Sequence, residues 1–452
     1  MSKEDNAVWR FFASVKLALF VLFILAATSI IGTLIPQGNP PDFYVQQFGP
    51  SLTRLFFLLD LHRMYSSWWF LGLLMLFSMN LIICTIDRLP HVWHMVVADN
   101  LATPVERLEK MEQRAHFAGN NTTPTAAADI IHGVLLANGW KAKQAERPEG
   151  TLLFAQKRAW SRLGVYVVHL SILVIFAGAI VGSLFGFKAG VLIPEGHSVS
   201  EVYEFGTDRP IPLGFDLRCD RFDIQFYANG MPKKYRSELT VNDQRQGKTF
   251  TRPIEVNDPL SYRGITFYQS SYEPTNEFLV QIESPANGKK QLFRIPAGQQ
   301  ISWPGTNISF GVINMMAGER GGENRFKIWF SDGKGEPTVF WMPDAVSTPI
   351  PRPDQEYLFS LKQIYATGLQ VAKDPGVWVV YIGCGLMLTG LFVAFFLSHQ
   401  RIWVSIRQEG NGVHTLLCGT SNKNKIGFER NFAQLREAIE KHPSFTDTEA
   451  AS

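Results

Sequence analysis

The sequence has few cysteines, and none is placed for covalent chemistry. It contains four, with no pair spaced as Cys-x-x-Cys. Cys84 and Cys384 fall in apolar runs and Cys418 lies near the C-terminal end, so Cys219 is the one cysteine in a long polar stretch. One cysteine cannot form an internal disulfide, and the chain is therefore neither a disulfide scaffold nor a thiol oxidoreductase by itself. We expect Cys219 to be a small buried hydrophobe.

The sequence also lacks a large excess of positive or negative charge. Lysine and arginine total 43 against 40 aspartates and glutamates, which gives a formal net charge of +3. Without a basic stripe and interleaved aromatic residues, this balance argues against nucleic-acid binding. The long polar stretch also lacks a Gly-x-Ser-x-Gly motif, metal-ligand spacing and a glycine-rich phosphate loop. Its one histidine, His197, is predicted to be a surface residue, and no catalytic residue is predicted.

Long apolar runs, by contrast, are abundant. A helix needs about 20 apolar residues to cross a hydrocarbon core about 30 Å thick. Four uncharged runs approach or exceed that length: 17–35, 68–86, 163–187 and 375–398. The first is longer than the core of a signal peptide, and Gly32-Thr-Leu-Ile-Pro-Gln37 is not a small-x-small cleavage site. We therefore predict four transmembrane helices.

Basic residues set the expected orientation, because lysine and arginine accumulate on the cytoplasmic side of short flanks. They precede the first and third helices and follow the second and fourth, which places both termini in the cytoplasm. The predicted map is 1–16 cytoplasmic, 17–35 helix 1, 36–67 a short periplasmic loop, 68–86 helix 2, 87–162 a cytoplasmic α+β segment, 163–187 helix 3, 188–374 a periplasmic β domain, 375–398 helix 4 and 399–452 a cytoplasmic tail.

The region between helices 3 and 4 has the pattern of antiparallel strands. Apolar and polar residues alternate over 215–219, 222–226, 238–241 and 326–330, and Asn229-Gly230, Asn287-Gly288 and Asp332-Gly333 provide turn chemistry. The fold class predicted is an integral membrane protein with four transmembrane α-helices and a large extracytoplasmic antiparallel β domain, sandwich-like or an open barrel, between helices 3 and 4.

The segment between helices 2 and 3 is predicted to be a small α+β element. Residues 105–114 are charged and helix-prone, and Thr123 or Thr125 is placed to cap an amphipathic helix that runs through Leu136. A short strand pair is expected at 140–144 and 151–156. The tail after residue 398 is too short for a kinase or cyclase domain.

One histidine lies inside an apolar run. An ionisable side chain at membrane depth is costly unless a metal, an ion or a partner compensates it, so His169 is a functional-site hypothesis. At 100° per residue, Gly178, Gly182 and Gly186 form one column, which is expected to be a helix-packing seam. His169 lies about 180° from Gly178.

The opposite face of helix 3 suits haem. His169 shares it with three bulky apolar residues, Leu173, Phe176 and Ile180. Imidazole is a usual axial ligand of haem iron, and an apolar face suits a porphyrin. The alternative is a hydrogen bond between His169 and a polar group on a neighbouring helix, for example Asn80 or Ser78. The residue pattern alone leaves these two interpretations equally open.

The remaining histidines are outside the predicted membrane core. His62 lies in the short outer loop, His91 and His94 lie just past helix 2, and His399 lies just past helix 4. A haem with two axial ligands inside the bilayer would therefore take its second ligand from another chain.

A series of short motifs gives the chain a family resemblance over nearly its whole length. They are, in order, Gly32-Thr-Leu-Ile-Pro-Gln37; Tyr65-Ser-Ser-Trp68; Asn80-Leu81 with Cys84, Asp87-Arg88 and Pro90; Arg162-Leu-Gly164 with His169, Gly178 and Glu195-Gly196; Asn257-Asp-Pro-Leu-Ser-Tyr-Arg-Gly264; Thr266-Phe-Tyr-Gln-Ser-Ser-Tyr272; Lys373-Asp-Pro-Gly376; and Ser398-His-Gln-Arg401. In this order the chain resembles the ResB (CcsB) family, the large-loop subunit of the System II cytochrome c synthetase, or haem lyase.

The resemblance implies a role in cytochrome c biogenesis at the bacterial inner membrane. It implies a ResC (CcsA) type membrane partner with a Trp-rich haem-binding motif. Trp68-Trp69 lacks the Trp-Asp that would follow in that motif, so this chain is not the fused form. His169 matches the family's histidine on the third helix, which implies that it is an axial ligand of haem b in transit, a cofactor-binding and metal-binding role.

The resemblance also implies an apocytochrome c client. A thioredoxin-like thiol reductase is implied as a further partner, because this chain has no dithiol of its own. The chain would be a non-catalytic or accessory subunit of the synthetase. The alternative is a non-catalytic envelope scaffold or receptor with a ligand-binding β domain. Tyr262, Phe267, Tyr268 and Tyr272 either contact a client or fill the β core, and the core is the favoured prediction.

Overall fold

The computed structural model describes residues 7–119, 122–227, 232–284, 288–316, 324–353 and 355–448. Within these ranges the α-helices are α1 (Ala7–Phe12), α2 (Val15–Leu34), α3 (Pro41–Leu58), α4 (Trp68–Val97), α5 (Val105–Leu108), α6 (Pro124–Ala137), α7 (Gly164–Phe185), α8 (Val377–Phe396) and α9 (Lys425–Glu440). Short 3-10 helices, Leu61–Ser66 and Ala159–Leu163, precede α4 and α7.

The strands form three sheets. One sheet contains β1 (Gln113–Gly119), β2 (Ala142–Arg147), β3 (Gly150–Lys157), β18 (Gln400–Glu409), β19 (Gly412–Ser421) and β20 (Phe445–Asp447). The second contains β4 (Phe187–Pro194), β5 (Ser198–Glu204), β6 (Pro210–Phe226), β7 (Pro232–Asp243), β8 (Lys248–Glu255), β9 (Leu260–Tyr262), β10 (Ile265–Ser284), β11 (Lys289–Pro296), β16 (Ser347–Pro351) and β17 (Glu356–Lys373). The third contains β12 (Gln300–Ser302), β13 (Ser309–Met316), β14 (Arg325–Ser331) and β15 (Thr338–Pro343).

Four described helices, α2, α4, α7 and α8, are long and apolar enough to cross a membrane. The uncharged run that predicted the second of them ends at residue 86, before Asp87 and Arg88, but α4 continues for eleven further residues to Val97, through Pro90. A charge ends an apolar run but does not end a helix, and Pro90 removes only one backbone hydrogen bond of α4. The hydroxyl of Ser67 begins α4 by accepting from the backbone N–H of Phe70 at 3.4 Å.

Helices α7 and α8 pack through small residues, which are spaced by seven in α7 and from Gly383 to Gly390 in α8. The buried positions of α7 are Gly164, Ser171 and Gly178, and those of α8 are Gly383, Gly390 and Ala394. A Cβ added at Gly390 would lie 2.9 Å from the backbone nitrogen of Val168. The two backbones therefore approach closely, as small residues allow in membrane helices.

Gly178, Gly182 and Gly186 were predicted to form a helix-packing seam. Gly178 is in the contact with α8, but the prediction was wrong for Gly182 and Gly186. A Cβ at Gly182 would meet the carboxylate of Asp374, and one at Gly186 would meet the carbonyl oxygen of Lys373. Positions four apart drift by about 40° per step, whereas positions seven apart drift by only about 20°, so the seven-residue column stays on the contact line.

A six-stranded domain joins two distant parts of the chain. Its strand order is β2-β3-β18-β19-β1-β20, and α6 and α9 cover its core. Four apolar residues of α9 at helical spacing face that core: Phe428, Phe432, Leu435 and Ile439. The segment 87–162 and the tail therefore form one domain. The strand pair β2–β3 and the α6 helix were expected, and Thr123 is the cap, accepting from the Ala126 N–H at 3.3 Å.

One expectation for this domain was wrong. The helix-prone stretch 105–114 is helical only over Val105–Leu108, and β1 begins at Gln113. Residues such as Ala115 and Phe117, which are fully buried in the sheet, draw the chain into a strand directly after that short helix. Tertiary packing overrides local helix propensity here.

The region Ile180–Gly376 is a separate compact unit with two hydrophobic cores. Its antiparallel strands were expected, but a single sandwich core was not found. The long strands β10 and β17 belong to both cores, with Phe267 in one and Phe278 in the other. Their pairing shifts register between Pro274 and Phe278, and a proline within a strand is typical of such a bulge.

The predicted strands 215–219 and 222–226 are one bulged strand, β6. Of the predicted turns, Asn229-Gly230 and Asn287 lie outside the described residues. Asp332-Gly333 follows β14, with Gly333 at a φ of 75°.

Candidate functional site

His169 lies in the second turn of α7, five residues after Gly164 and therefore about 7.5 Å along the helix from its first residue. The side chain is half-buried. Its Nδ1 atom lies 2.9 Å from the hydroxyl oxygen of Thr85, a residue of α4. The apolar run thus places the histidine inside the helix, and the contact with α4 fixes its ring.

The second ring nitrogen of His169 is not engaged. Among the described residues, none hydrogen-bonds to Nε2. When Nδ1 donates to an oxygen, the imidazole is the tautomer whose Nε2 carries the lone pair that binds metals. The Thr85 hydroxyl is able to accept that hydrogen bond, since it is both donor and acceptor. A neutral imidazole held in this way fits an axial ligand.

Aromatic and apolar groups surround the ring. The Tyr166 ring lies 6.0 Å from the His169 ring in an edge-to-face arrangement. Phe176, two turns further along α7, packs edge-on against Phe77 of α4 at 6.4 Å. The face that carries His169 is therefore partly covered by α4, while Ile180 at its far end is 58% exposed.

His169 has a polar partner on a neighbouring helix, as the alternative interpretation expected, but that partner is Thr85 and neither Asn80 nor Ser78. The amide of Asn80 donates to the carbonyl oxygens of Phe12 and Ser14, and the Ser78 hydroxyl donates to the Leu74 carbonyl of its own helix. Thr85 lies five positions beyond Asn80. No sequence signal distinguished it from the other small polar residues of the second helix.

His399 contrasts with His169, and sequence reasoning missed its role. It is 1% exposed, at the end of α8. Its Nδ1 accepts from Nε of Arg162 at 2.8 Å, and its Nε2 lies 3.0 Å from the amide oxygen of Gln156. Burial, together with the positive charges of Arg162 and Arg401, lowers the pKa of His399 to about 4. Both nitrogens are occupied, so this histidine joins structural elements and is not a ligand.

The other histidines near the helices are differently placed. The His62 ring stacks on Phe57 at 4.1 Å, in the segment between α2 and α4. His91 and His94 are exposed in the last turns of α4. His197, in the large sheet region, is exposed as predicted, and Arg294 donates to its Nδ1 at 3.1 Å.

Cys219 is fully buried, as expected. Burial, with the nearby charges of Glu195 and Asp220, raises the pKa of its thiol to about 12. Because the thiolate is the reactive form, this cysteine is inert at neutral pH.

The aromatic motif of β9 and β10 is mainly core. Tyr262 and Phe267 are buried in the first core, Tyr272 packs against it, and Tyr268 is 44% exposed. The prediction of a core role is confirmed for three of the four. The Tyr262 hydroxyl also donates to the buried carboxylate of Asp243 at 3.0 Å.

Within the described ranges, no group of three or more His, Cys, Asp or Glu residues is placed to hold a metal ion. An axial ligand of haem does not require such a cluster, and an imidazole such as that of His169 is chemically suited to the role. These features define a chain with four helices that are long and apolar enough to cross a membrane, a six-stranded domain and a large antiparallel sheet region.

Comparison with known proteins identifies the family. The model of the ResB-like family matches residues 15–334 and 329–433. The cytochrome c biogenesis protein CcsB of Gloeobacter violaceus is 31% identical over 457 residues, covering 97% of this chain and 92% of the relative. Its counterpart in Crocosphaera subtropica is 29% identical over 451 residues, covering 95% and 93%. The chain belongs to the ResB-like family.

One solved structure, the cytochrome c haem lyase CcmF, matches 83% of this chain and 44% of its own at 11% identity. The TM-score is 0.25, which is too low to support an argument about fold or function.

Proposed function

We propose that this chain is the ResB-type subunit of a System II complex that exports haem and joins it to apocytochrome c, together with a ResC (CcsA) type membrane protein. Membership of the ResB-like family and the names of the curated relatives support the pathway. The single observation that carries the residue-level proposal is His169, whose Nδ1 is held by Thr85 while Nε2 is unengaged among the described residues.

His169 binds the iron of haem b in transit through Nε2. Haem is the cargo of the complex, and imidazole is one of its usual axial ligands. Thr85 acts as a positioning residue, because an oxygen partner at Nδ1 fixes the ring orientation and makes the imidazole more basic. The opposing ligand comes from the partner subunit, since the other described histidines of the four helices lie at helix ends.

The chain lies in the bacterial inner membrane with both termini in the cytoplasm. Three arginines lie at the helix ends nearest the six-stranded domain: Arg88 within the last third of α4, Arg162 just before α7 and Arg401 just after α8. This placement is the one expected for a cytoplasmic face. In this orientation the domain built from 87–162 and 399–452 is cytoplasmic and region 188–374 is periplasmic. His169 then lies in the cytoplasmic half of the membrane, where it meets haem early on its way outward.

The periplasmic region holds the apocytochrome client near the partner's haem site. Tyr268 is the exposed member of its aromatic motif and is available for such a contact. Cys219 has a pKa of about 12 because it is buried, so it does not reduce a disulfide between the client's cysteines. A separate thioredoxin-like reductase does so, and the complex itself brings two vinyl groups and two thiols together, which is a positioning task.

A test of His169 uses the chain co-expressed with its ResC-type partner and purified in detergent. Haem per complex and the reduced absorbance spectrum are compared for wild type, His169→Ala and the exposed-histidine control His94→Ala. We expect His169→Ala alone to lose haem, and added imidazole to restore it by filling the vacated axial position. Wild-type haem content and an unchanged spectrum in His169→Ala would contradict the proposal.

One observation favours the alternative, a non-catalytic envelope scaffold or receptor with a ligand-binding β domain. The Thr85 hydroxyl is by itself a sufficient hydrogen-bond partner for a half-buried histidine. The scaffold function predicts that His169→Ala leaves cytochrome c maturation intact in cells, whereas the proposed function predicts that maturation falls with haem content.

A further inference from the structure

Positive charge is concentrated around a cavity in the six-stranded domain. The cavity has a volume of about 370 Å³. Four basic residues line it: Arg107, Lys110, Arg401 and Lys425. Two acidic residues also line it, and one of them already compensates one of the four cations. Glu112 pairs with Lys425 at 3.0 Å, and Glu429 accepts from Gln113 at 3.4 Å.

Arg401 is the residue that makes this cavity unusual. Its guanidinium lies over the Trp403 ring at 5.3 Å, which fixes its position. No ion pair joins Arg401, Arg107 or Lys110 to a carboxylate in the described part of the chain. Burial, and then the positive charges of Arg162 and Arg107, lower the pKa of Arg401. A half-buried cation beside other cations is destabilising unless an anion compensates it.

The cavity lies near the C-terminal end of α8. Arg401 follows the last residue of that helix, Phe396, by five positions, and it pairs with Thr420, which also lines the cavity. The amine of Lys423 donates to the carbonyl oxygen of Ala394, inside the last turn of α8. The start of β18 and the loop after β19 form part of the cavity wall. They therefore lie close to the end of α8, where a membrane-spanning helix would leave the hydrocarbon.

We propose that Arg401, Arg107, Lys110 and Lys425 bind the phosphate group of an anionic phospholipid headgroup in this cavity. A guanidinium matches phosphate with two parallel hydrogen bonds, and lysines add point charge around it. Basic pockets beside membrane helices suit anionic headgroups for this reason. The same phosphate chemistry is offered by a free phosphate ion, so the source is a matter for experiment, and the proximity to α8 favours the lipid. The site is independent of haem binding.

The test uses the full chain in a neutral detergent. Its thermal unfolding midpoint is followed while phosphatidylglycerol, phosphatidylcholine or inorganic phosphate is added. We expect phosphatidylglycerol to raise the midpoint of the wild type and phosphatidylcholine not to. Arg401→Gln should weaken the apparent affinity for phosphatidylglycerol about tenfold, the effect of losing charge-assisted hydrogen bonds.

Arg401 packs on Trp403, so a second variant protects the test against loss of folding. The double variant Arg107→Gln/Lys110→Gln changes two exposed side chains of the cavity. The matched control is Lys143→Gln, which changes an exposed lysine of β2 in the same domain. A response to inorganic phosphate alone would keep the phosphate site and reject the lipid as its source. Equal responses of wild type and both cavity variants, or no response to either anion, would overturn the proposal.

Discussion

The surroundings of His169 and His399 differ in the feature that separates a ligand from a structural histidine. His399 is 1% exposed and has a partner on each ring nitrogen, Arg162 and Gln156. His169 is half-buried, and among the described residues its one hydrogen-bond partner is Thr85, on Nδ1. A ring with both nitrogens occupied holds elements together, whereas a ring with one free nitrogen is oriented and still able to bind. Burial alone would select His399, whose two nitrogens are already occupied.

The largest effect that tests this comparison is on stability. His399→Ala leaves the guanidinium of Arg162 and the amide of Gln156 without their partner, and we expect it to lower the free energy of unfolding by about 3 kcal/mol. His169→Ala removes one hydrogen bond and should cost about 1 kcal/mol. Denaturant titration in detergent measures both.

The two variants should behave oppositely in haem content. His399→Ala that remains folded should keep haem with the ResC-type partner, and His169→Ala should not. If His399→Ala lost haem at full stability, the distinction between a ligand and a structural histidine would fail.

The next effect is on stability and concerns the packing of α8 against α7, the helix that carries His169. A Cβ at Gly390 would lie 2.9 Å from Val168, whereas one at Gly385 would meet nothing within 4 Å. We therefore expect Gly390→Leu to destabilise the protein by about 2 kcal/mol through overpacking, and Gly385→Leu to be nearly neutral. Thermal unfolding of the pair is the measurement. Equal losses would show that α7 and α8 do not pack through this seam.

The sequence predicted the four apolar helices because their signal is local and long. Uncharged runs of this length have few other structures available to them. It also singled out His169 as a site hypothesis, since one ionisable residue in such a run is conspicuous, and that role stays a prediction. The family resemblance added the pathway, and the comparison with known proteins confirmed the family.

The parts that failed depend on contacts between distant residues. The six-stranded domain pairs β3 with β18, and no local pattern shows that Gln400 will lie opposite Lys157. Thr85 and Asn80 are equally polar, and only the rotation of α4 against α7 decides which meets His169. The helix seam failed because four-residue spacing was preferred to seven.

A smaller effect tests whether Thr85 positions the ring. Thr85→Val keeps the shape and removes the hydroxyl, and it should weaken haem retention by the complex about tenfold, as loss of an outer partner does at metal sites. Thr85→Ser should retain most of it. The midpoint potential of the bound haem provides a second measurement, because a less basic imidazole changes the iron's electron density. Equal haem retention and potential in Val and Ser variants would remove Thr85 from the site.

The remaining effect is a pH dependence that belongs to the structural histidine. The pKa of His399 is lowered from 6.5 to about 4, first by burial and then by Arg162 and Arg401. The unfolded chain therefore binds the proton more readily, so the stability from neutral His399 is complete above pH 6.5 and is lost as pH falls toward 4. Unfolding midpoints measured across this range should decline on the acid side.

The control for this pH dependence is His399→Gln, whose amide accepts and donates but does not titrate. The decline should become shallower in this variant and should not vanish, because burial and His116 also lower the pKa of His414 in the same domain. The hydrogen bond from Arg162 requires an unprotonated Nδ1, so protonation of His399 must break it. An unchanged slope in His399→Gln would therefore mean that titration of His399 does not contribute to the acid-side loss of stability, and the contrast with His169 would rest on geometry alone.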